Sequence, residues 1–344
     1  MTEKENFLRT ARGEMPEWIP RYLIPPLKDT PYHAAVASVF PSFLRSDRSA
    51  DGGGRDVFGV EYTPTDSTGG MTLPTPGKFL LDDIRKWRDV IVAPDISNVD
   101  FEEMAVKDLR LLDRDNTALQ MGTHFGYFQH LMSFMGFSEG LIAMYEEPDE
   151  VYELFSYLAD FYDAVLMKSI EYYKPDLVLI NDDIATANNP FFSLEMYRTL
   201  IKPFQMRQGK IITDAGLPVN MHNCGRCEDL IEDWFDFGVS MWNPAQVMND
   251  LVGIKKKYGR KLTLIGCWDS SGPPGWSGAS EEVVRNAVRE CIETFAPNGG
   301  FCFHGSTYGS AEEVEELSQR SSWITDEYNK YGRTFYDISS GKIG

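Results

Sequence analysis

A chain of 344 residues with 42% apolar and 13% aromatic side chains can bury a large core, and one barrel-sized domain is within its range. Its formal charge of −19 provides no cationic surface for a phosphate backbone, which argues against nucleic acid as a partner. The sequence has no transmembrane stretch, and its opening Met1-Thr2-Glu3-Lys4 lacks the order of a signal peptide; with five cysteines, an odd count, it points to a reducing cytoplasm rather than a disulfide framework.

In chain order, residues 1–75 read as an irregular N-terminal cap on a single domain spanning 1–344. Within the cap, residues 6–13 suit a short helix, 17–25 a weak first strand near Tyr22, 49–55 a glycine-rich loop and 56–62 a hairpin strand. Helical patterns follow at 82–87 and 100–111, a strand at 117–123, and helix again after Tyr127. Pro148 opens a long helix whose apolar residues Val151, Leu154, Phe155, Leu158, Phe161, Tyr162, Val165 and Leu166 repeat with the 3.6 period. Strands at 177–180, 218–221, 239–242, 262–265 and 300–303 then alternate with helices, the one from Ser193 kinked at Pro203. Alternation of this length means a parallel sheet. Seven strands are readable and an eighth is expected to be missed. No GxGxxG turn follows any of them, which favours a (β/α)8 barrel over a doubly wound nucleotide fold.

Sites in such barrels form at the C-terminal strand ends. There lie Thr123 and His124; Asn181, Asp182 and Asp183; His222 and Cys224; Trp242 and Asn243; Cys267, Trp268 and Asp269; and Cys302 and His304. His222 and Cys224 are two apart in an extended chain, so imidazole and thiol reach one point and suit zinc. Three thiols compete as third ligand. Cys227 should be turned away by the helix from Glu228. Cys267 and Cys302 both end strands, and Cys302 is preferred because His304 follows two residues on. Binding by His304 as well would close the shell, which marks a structural metal; three ligands and an open position mark a catalytic one. Each residue also has an ordinary reading as buried thiol or hydrogen-bonded histidine. Asn181 and Asp183 should share one side of their strand with Asp182 opposite. Asp183, Asn181 and His124 are therefore candidates for substrate positioning or proton transfer, against the alternative of loop capping. The aromatics Phe125, Tyr127, Trp242 and Trp268, with His304, make an apolar mouth suited to a flat, weakly polar substrate.

Several collinear elements carry a family resemblance. They are residues 7–20, the 52–62 stretch with Asp56-Val57-Phe58-Gly59-Val60, residues 81–87, Pro94-Asp95, residues 189–197 and His222-Asn223-Cys224-Gly225. Together they resemble the uroporphyrinogen decarboxylase superfamily, and within it the cobalamin-dependent methyltransferases. The resemblance implies a (β/α)8 barrel. It also implies a zinc held by a His-x-Cys pair and a distant cysteine, matched by His222, Cys224 and Cys302, which supports Cys302 over Cys267. The Arg-Gln-Ala-Gly-Arg element that holds substrate carboxylates in true decarboxylases is represented only by Arg21, so porphyrinogen decarboxylation is disfavoured.

The leading expectation is a zinc-dependent methyltransferase. It would move a methyl group from a methyl ether, an aromatic one if the mouth selects it, to the cobalt(I) of a separate corrinoid protein, with zinc as Lewis acid on the departing oxygen. One rival is methyl transfer from a methylcorrinoid to a thiol; another is a non-enzymatic corrinoid-binding or sensing barrel with a closed metal site. The expected partners are thus a corrinoid protein and a small methyl donor or acceptor, with no nucleic acid and no membrane. A homodimer is left open.

Overall fold

The computed structural model describes residues 1–22, 34–44, 53–65, 72–122, 126–309 and 313–341. Seven parallel strands form one sheet in the order β1 (Val36–Val39), β5 (Ala118–Gly122), β6 (Leu177–Asn181), β7 (Val219–His222), β8 (Val239–Ala245), β9 (Thr263–Gly266) and β10 (Phe301–Phe303). Three short antiparallel strands, β2 (Gly54–Arg55), β3 (Glu61–Pro64) and β4 (Thr72–Pro74), make a separate sheet. The parallel strands are nearly continuous apolar runs, as in Leu177-Val178-Leu179-Ile180, because both faces are covered.

Among the described residues the weak strand near Tyr22 is a bridge beside β10, where Tyr22 N–H donates to the Phe303 carbonyl (2.8 Å) and Phe303 N–H to that of Pro20 (2.9 Å); residues 23–25 of the expected strand lie outside the described residues. It extends the parallel ladder past β10. Across the interior, the Tyr22 hydroxyl accepts from Gln120 on β5 (2.7 Å) and from Asn243 on β8 (2.9 Å), so the sheet curls into a TIM-barrel-like wall. The strand missing from the sequence reading is β1. Its Val36-Ala37-Ser38-Val39 is short and small-sided, and carries too little apolar bulk to stand out.

The helix Glu3–Ala11 begins three residues before the expected Asn6, because Thr2 and Glu5 form a reciprocal capping box. Its Phe7, Leu8 and Ala11 pack with Val36, Ala118, Leu177, Met241, Ile265 and Cys302. Val36, Ala118 and Leu177 are the first residues of their strands, and Thr263 and Ser240 donate hydroxyls to the carbonyls of Thr10 and Ala11 (2.9 and 3.1 Å). The helix thus closes the barrel floor and leaves the C-terminal ends for chemistry.

Residues 56–60 are a turn rather than the expected strand. Asp56 Oδ1 accepts from the N–H groups of both Phe58 and Val60 at 2.9 Å, an Asx turn that bends the chain and drives Phe58 against His130, Phe134 and Phe161. The long helix is Pro148–Tyr173, and all eight expected apolar positions are buried. Each contributes about 1.5–3 kcal/mol on burial. Beyond Ser193 the chain passes through a π-helical turn, Tyr197–Ile201, into the helix Lys202–Asp214. The wider turn stands where Pro203 has no N–H for the ladder.

Candidate metal centre and cavity

The strands β6 and β7 pair with Asn181 opposite His222, which aligns their C-terminal ends. Past that pair the two chains diverge into turns, and three donors meet. The ligand atoms of Asp183, His222 and Cys224 all lie within 4.8 Å of one another. His222 Nε2 is 3.7 Å from Asp183 Oδ1 and 3.9 Å from Cys224 Sγ, while Cys224 N–H donates to Asp183 Oδ1 at 2.8 Å. Among the described residues this is the group of histidine, cysteine and carboxylate side chains able to hold a metal ion.

The turn after Cys224 needs glycine. Gly225 has φ +91°, and a Cβ there would stand 2.6–2.7 Å from the carbonyls of Thr186 and Ala185. Its N–H donates to Gln246 Oε1 at 2.6 Å, which pins the turn to the loop after β8.

Asn181 and Asp183 do share one side, and Gln129 joins them. Gln129 Nε2 donates to Asp183 Oδ2 (3.0 Å), and Asn181 Nδ2 donates to Gln129 Oε1 (2.9 Å). Asp182 points the other way and is fully buried. It accepts from the N–H groups of Phe128 and Gln129, both at 3.1 Å, and so caps the helix Tyr127–Met135, whose own N-cap, Gly126, has no side chain to offer. Burial pushes the Asp182 carboxyl up to about 7 against those two bonds. A Cβ at Gly126 would sit 2.6 Å from Asp182 Oδ1 and 2.7 Å from Gln129 Oε1, so glycine is required at this close approach.

Enclosure lowers the basicity of His222, opposed by Asp183, and pushes the Cys224 thiol up to about 12, with Asp183 adding to the effect. Neutral imidazole is the form that ligates metal. A thiolate between a carboxylate and an apolar wall needs a cation to exist. The donor set of one nitrogen, one sulfur and one carboxylate oxygen fits zinc with room for a fourth ligand.

This group borders a cavity of ≈ 530 Å³. Asn181, Asp183, Gln129 and His222 form its polar side, Phe128, Phe137 and Phe191 its aromatic side, and Tyr62, Thr72, Leu73 and Pro74 of the β3–β4 strands its roof.

Other candidates stand elsewhere. Cys302, paired with Ile265 on β9, is fully buried in the barrel-floor cluster with Phe7 and Leu8. His304 bonds through Nδ1 to the Tyr22 carbonyl (2.7 Å) and stacks edge-on with its ring. Trp242 alternates with the inward Met241 and Asn243; it faces the outer layer, packs on Trp234 and donates to the Asn223 carbonyl (3.1 Å). Trp268 donates to the Ser306 carbonyl (2.8 Å) and borders a different cavity, of ≈ 470 Å³, with Cys267 and Cys291. Tyr127 is buried among Phe155, Tyr162 and Phe204. Cys227 donates its thiol to the Cys224 carbonyl (3.1 Å) and is turned from the metal group, as its place before Glu228–Leu230 predicts. Thr123, His124 and Phe125 lie outside the described residues.

Gln129 and the β4 roof escaped the sequence reading. Gln129 is neither titratable nor a customary ligand, and its only signal is its place in the first turn after a strand. Thr72 to Pro74 carry no chemical signature of their own.

Residues 58–307 match the uroporphyrinogen decarboxylase (URO-D) family. The chain belongs to that family. No curated protein matches its sequence. Its fold is that of a solved methyltransferase from Methanosarcina mazei, which is 12% identical, with a TM-score of 0.62 over 95% of this chain and 99% of that one. Among the described residues no helix is long and apolar enough to cross a membrane.

Proposed function

We propose that this URO-D family member is a metal-dependent methyltransferase that takes a methyl group from a small methyl ether for a corrinoid protein. The observation that carries the reading is the meeting of Asp183, His222 and Cys224 at the edge of a ring-sized aromatic cavity. The shared fold with a methyltransferase supports it. So does the lining of the cavity, which among the described residues holds no lysine or arginine to bind a polycarboxylate. Arg21 is buried over the Tyr328 ring and donates to Thr325 Oγ1 (3.0 Å), outside the cavity lining.

His222 and Cys224 would hold zinc with Asp183 as third donor, leaving one position toward the cavity. Zinc bound there supplies Lewis acidity to an ether oxygen, and the partner's corrinoid supplies the methyl acceptor. The chain's own residues do the rest. Asn181 fixes Gln129, and Gln129 holds Asp183 Oδ2 so that Oδ1 faces the imidazole and thiol. Phe128 and Phe191, stacked at 5.3 Å, offer flat faces to an aryl ring and keep water from the departing oxygen. The set His222, Cys224 and Cys302 is the rival ligand set and rests on the ligand order of the resembled methyltransferases. Against it stands the depth of Cys302 in the floor cluster. Transfer from a methylcorrinoid to a thiol would use the same metal and is the second reading.

Protein purified without chelators should carry about one zinc per chain. It should methylate a cobalt(I) corrinoid from a panel of methoxyarenes. A metal-free preparation that transfers methyl at the same rate would sink the reading.

A further inference from the structure

The charge of the cavity discriminates further than its shape. Resting on the reading above, we infer that the site takes uncharged, ring-sized methoxyarenes and rejects those bearing a carboxylate.

The lining has one formal charge, Asp183, among its described residues; Phe128, Phe137 and Phe191 form one side of it, and neutral polar groups such as Gln129, Asn181 and Ser133 stand on the others. Phe191 stacks on Phe128 and meets Phe137 edge-on at 4.9 Å, a wall with no hydrogen-bond donor for an anion. Two cations lie on or just past the cap strands, but Lys78 is held by Glu61 at 2.6 Å, and Arg55 faces the same carboxylate at 4.0 Å. Metal loading does not reverse the balance. The charge of a divalent ion is matched by the Cys224 thiolate and the Asp183 carboxylate, with His222 neutral, so no net positive charge is left for a second carboxylate. An aryl carboxylate entering this space loses its hydration and finds in exchange a ring wall and neutral donors, with no cation among the described lining residues to offset the loss. A hydroxymethyl group in the same place loses far less.

The test is titration calorimetry of the full chain, as purified, with vanillyl alcohol and vanillate at neutral pH. The two differ at one ring position, neutral in the first and anionic in the second. The alcohol should bind about tenfold more tightly or better. Leu73→Arg, which places a cation on the β4 roof, should narrow the ratio by strengthening vanillate. Equal or tighter binding of vanillate by the unaltered chain overturns the inference, and methyl transfer from the alcohol in the same preparation would leave the methyltransferase reading standing. Failure of both compounds to bind overturns the two together.

Discussion

The ends of β7 and β10 carry the same two residue types at the same spacing. One has histidine then cysteine, His222 and Cys224; the other has cysteine then histidine, Cys302 and His304. The order decides the outcome. On β7 the histidine is the last strand residue, and the cysteine lies beyond it on a turn that bends toward Asp183. On β10 the cysteine sits mid-strand at the level of the floor helix, and the histidine ends against the Tyr22 backbone. The neighbouring strands reinforce the difference. Beside β7, β6 delivers a carboxylate; beside β10, the Pro20–Tyr22 segment delivers a backbone carbonyl and a phenol. A pair of ligand-type residues meets a third donor only at the right depth and beside the right strand.

The comparison can be broken most sharply at β7. Cys224→Ser or His222→Ala should abolish stoichiometric zinc and lower methyl transfer by about 100-fold or more, measured by metal analysis and single-turnover assay. Next in size, Asp183→Ala should weaken zinc by about 100-fold in a chelator competition; unchanged affinity would remove Asp183 from the set. Gln129→Ala should weaken it by about tenfold, because the Asp183 carboxylate is then free to rotate. Smallest for the metal is Cys302→Ser, which should keep its zinc in full. Its cost should appear in thermal unfolding instead, as a hydroxyl buried among Phe7, Leu8 and Ile265 loses about 1–3 kcal/mol.

The six strands β5 to β10 were legible because each is a short apolar run between helical patterns, and sequence periodicity reports burial directly. The reading failed where local chemistry overrode the pattern, at the Asp56 turn, or where small residues built a wall, at β1. His222, Cys224, Asn181 and Asp183 could be singled out as candidates because strand parity and strand ends are sequence properties. The depth of Cys302 was not legible, since nothing in Phe301-Cys302-Phe303 tells how far the floor helix reaches up the barrel. Trp242 illustrates parity ignored: it alternates with two inward residues and so faces outward.

The central claim concerns how many sulfurs bind the metal. X-ray absorption at the zinc edge of the unaltered protein measures this directly. The structure predicts one sulfur at about 2.3 Å with nitrogen and oxygen completing the shell. Two sulfurs, with one lost in Cys302→Ser, would contradict the account and put Cys302 at the metal in place of Asp183.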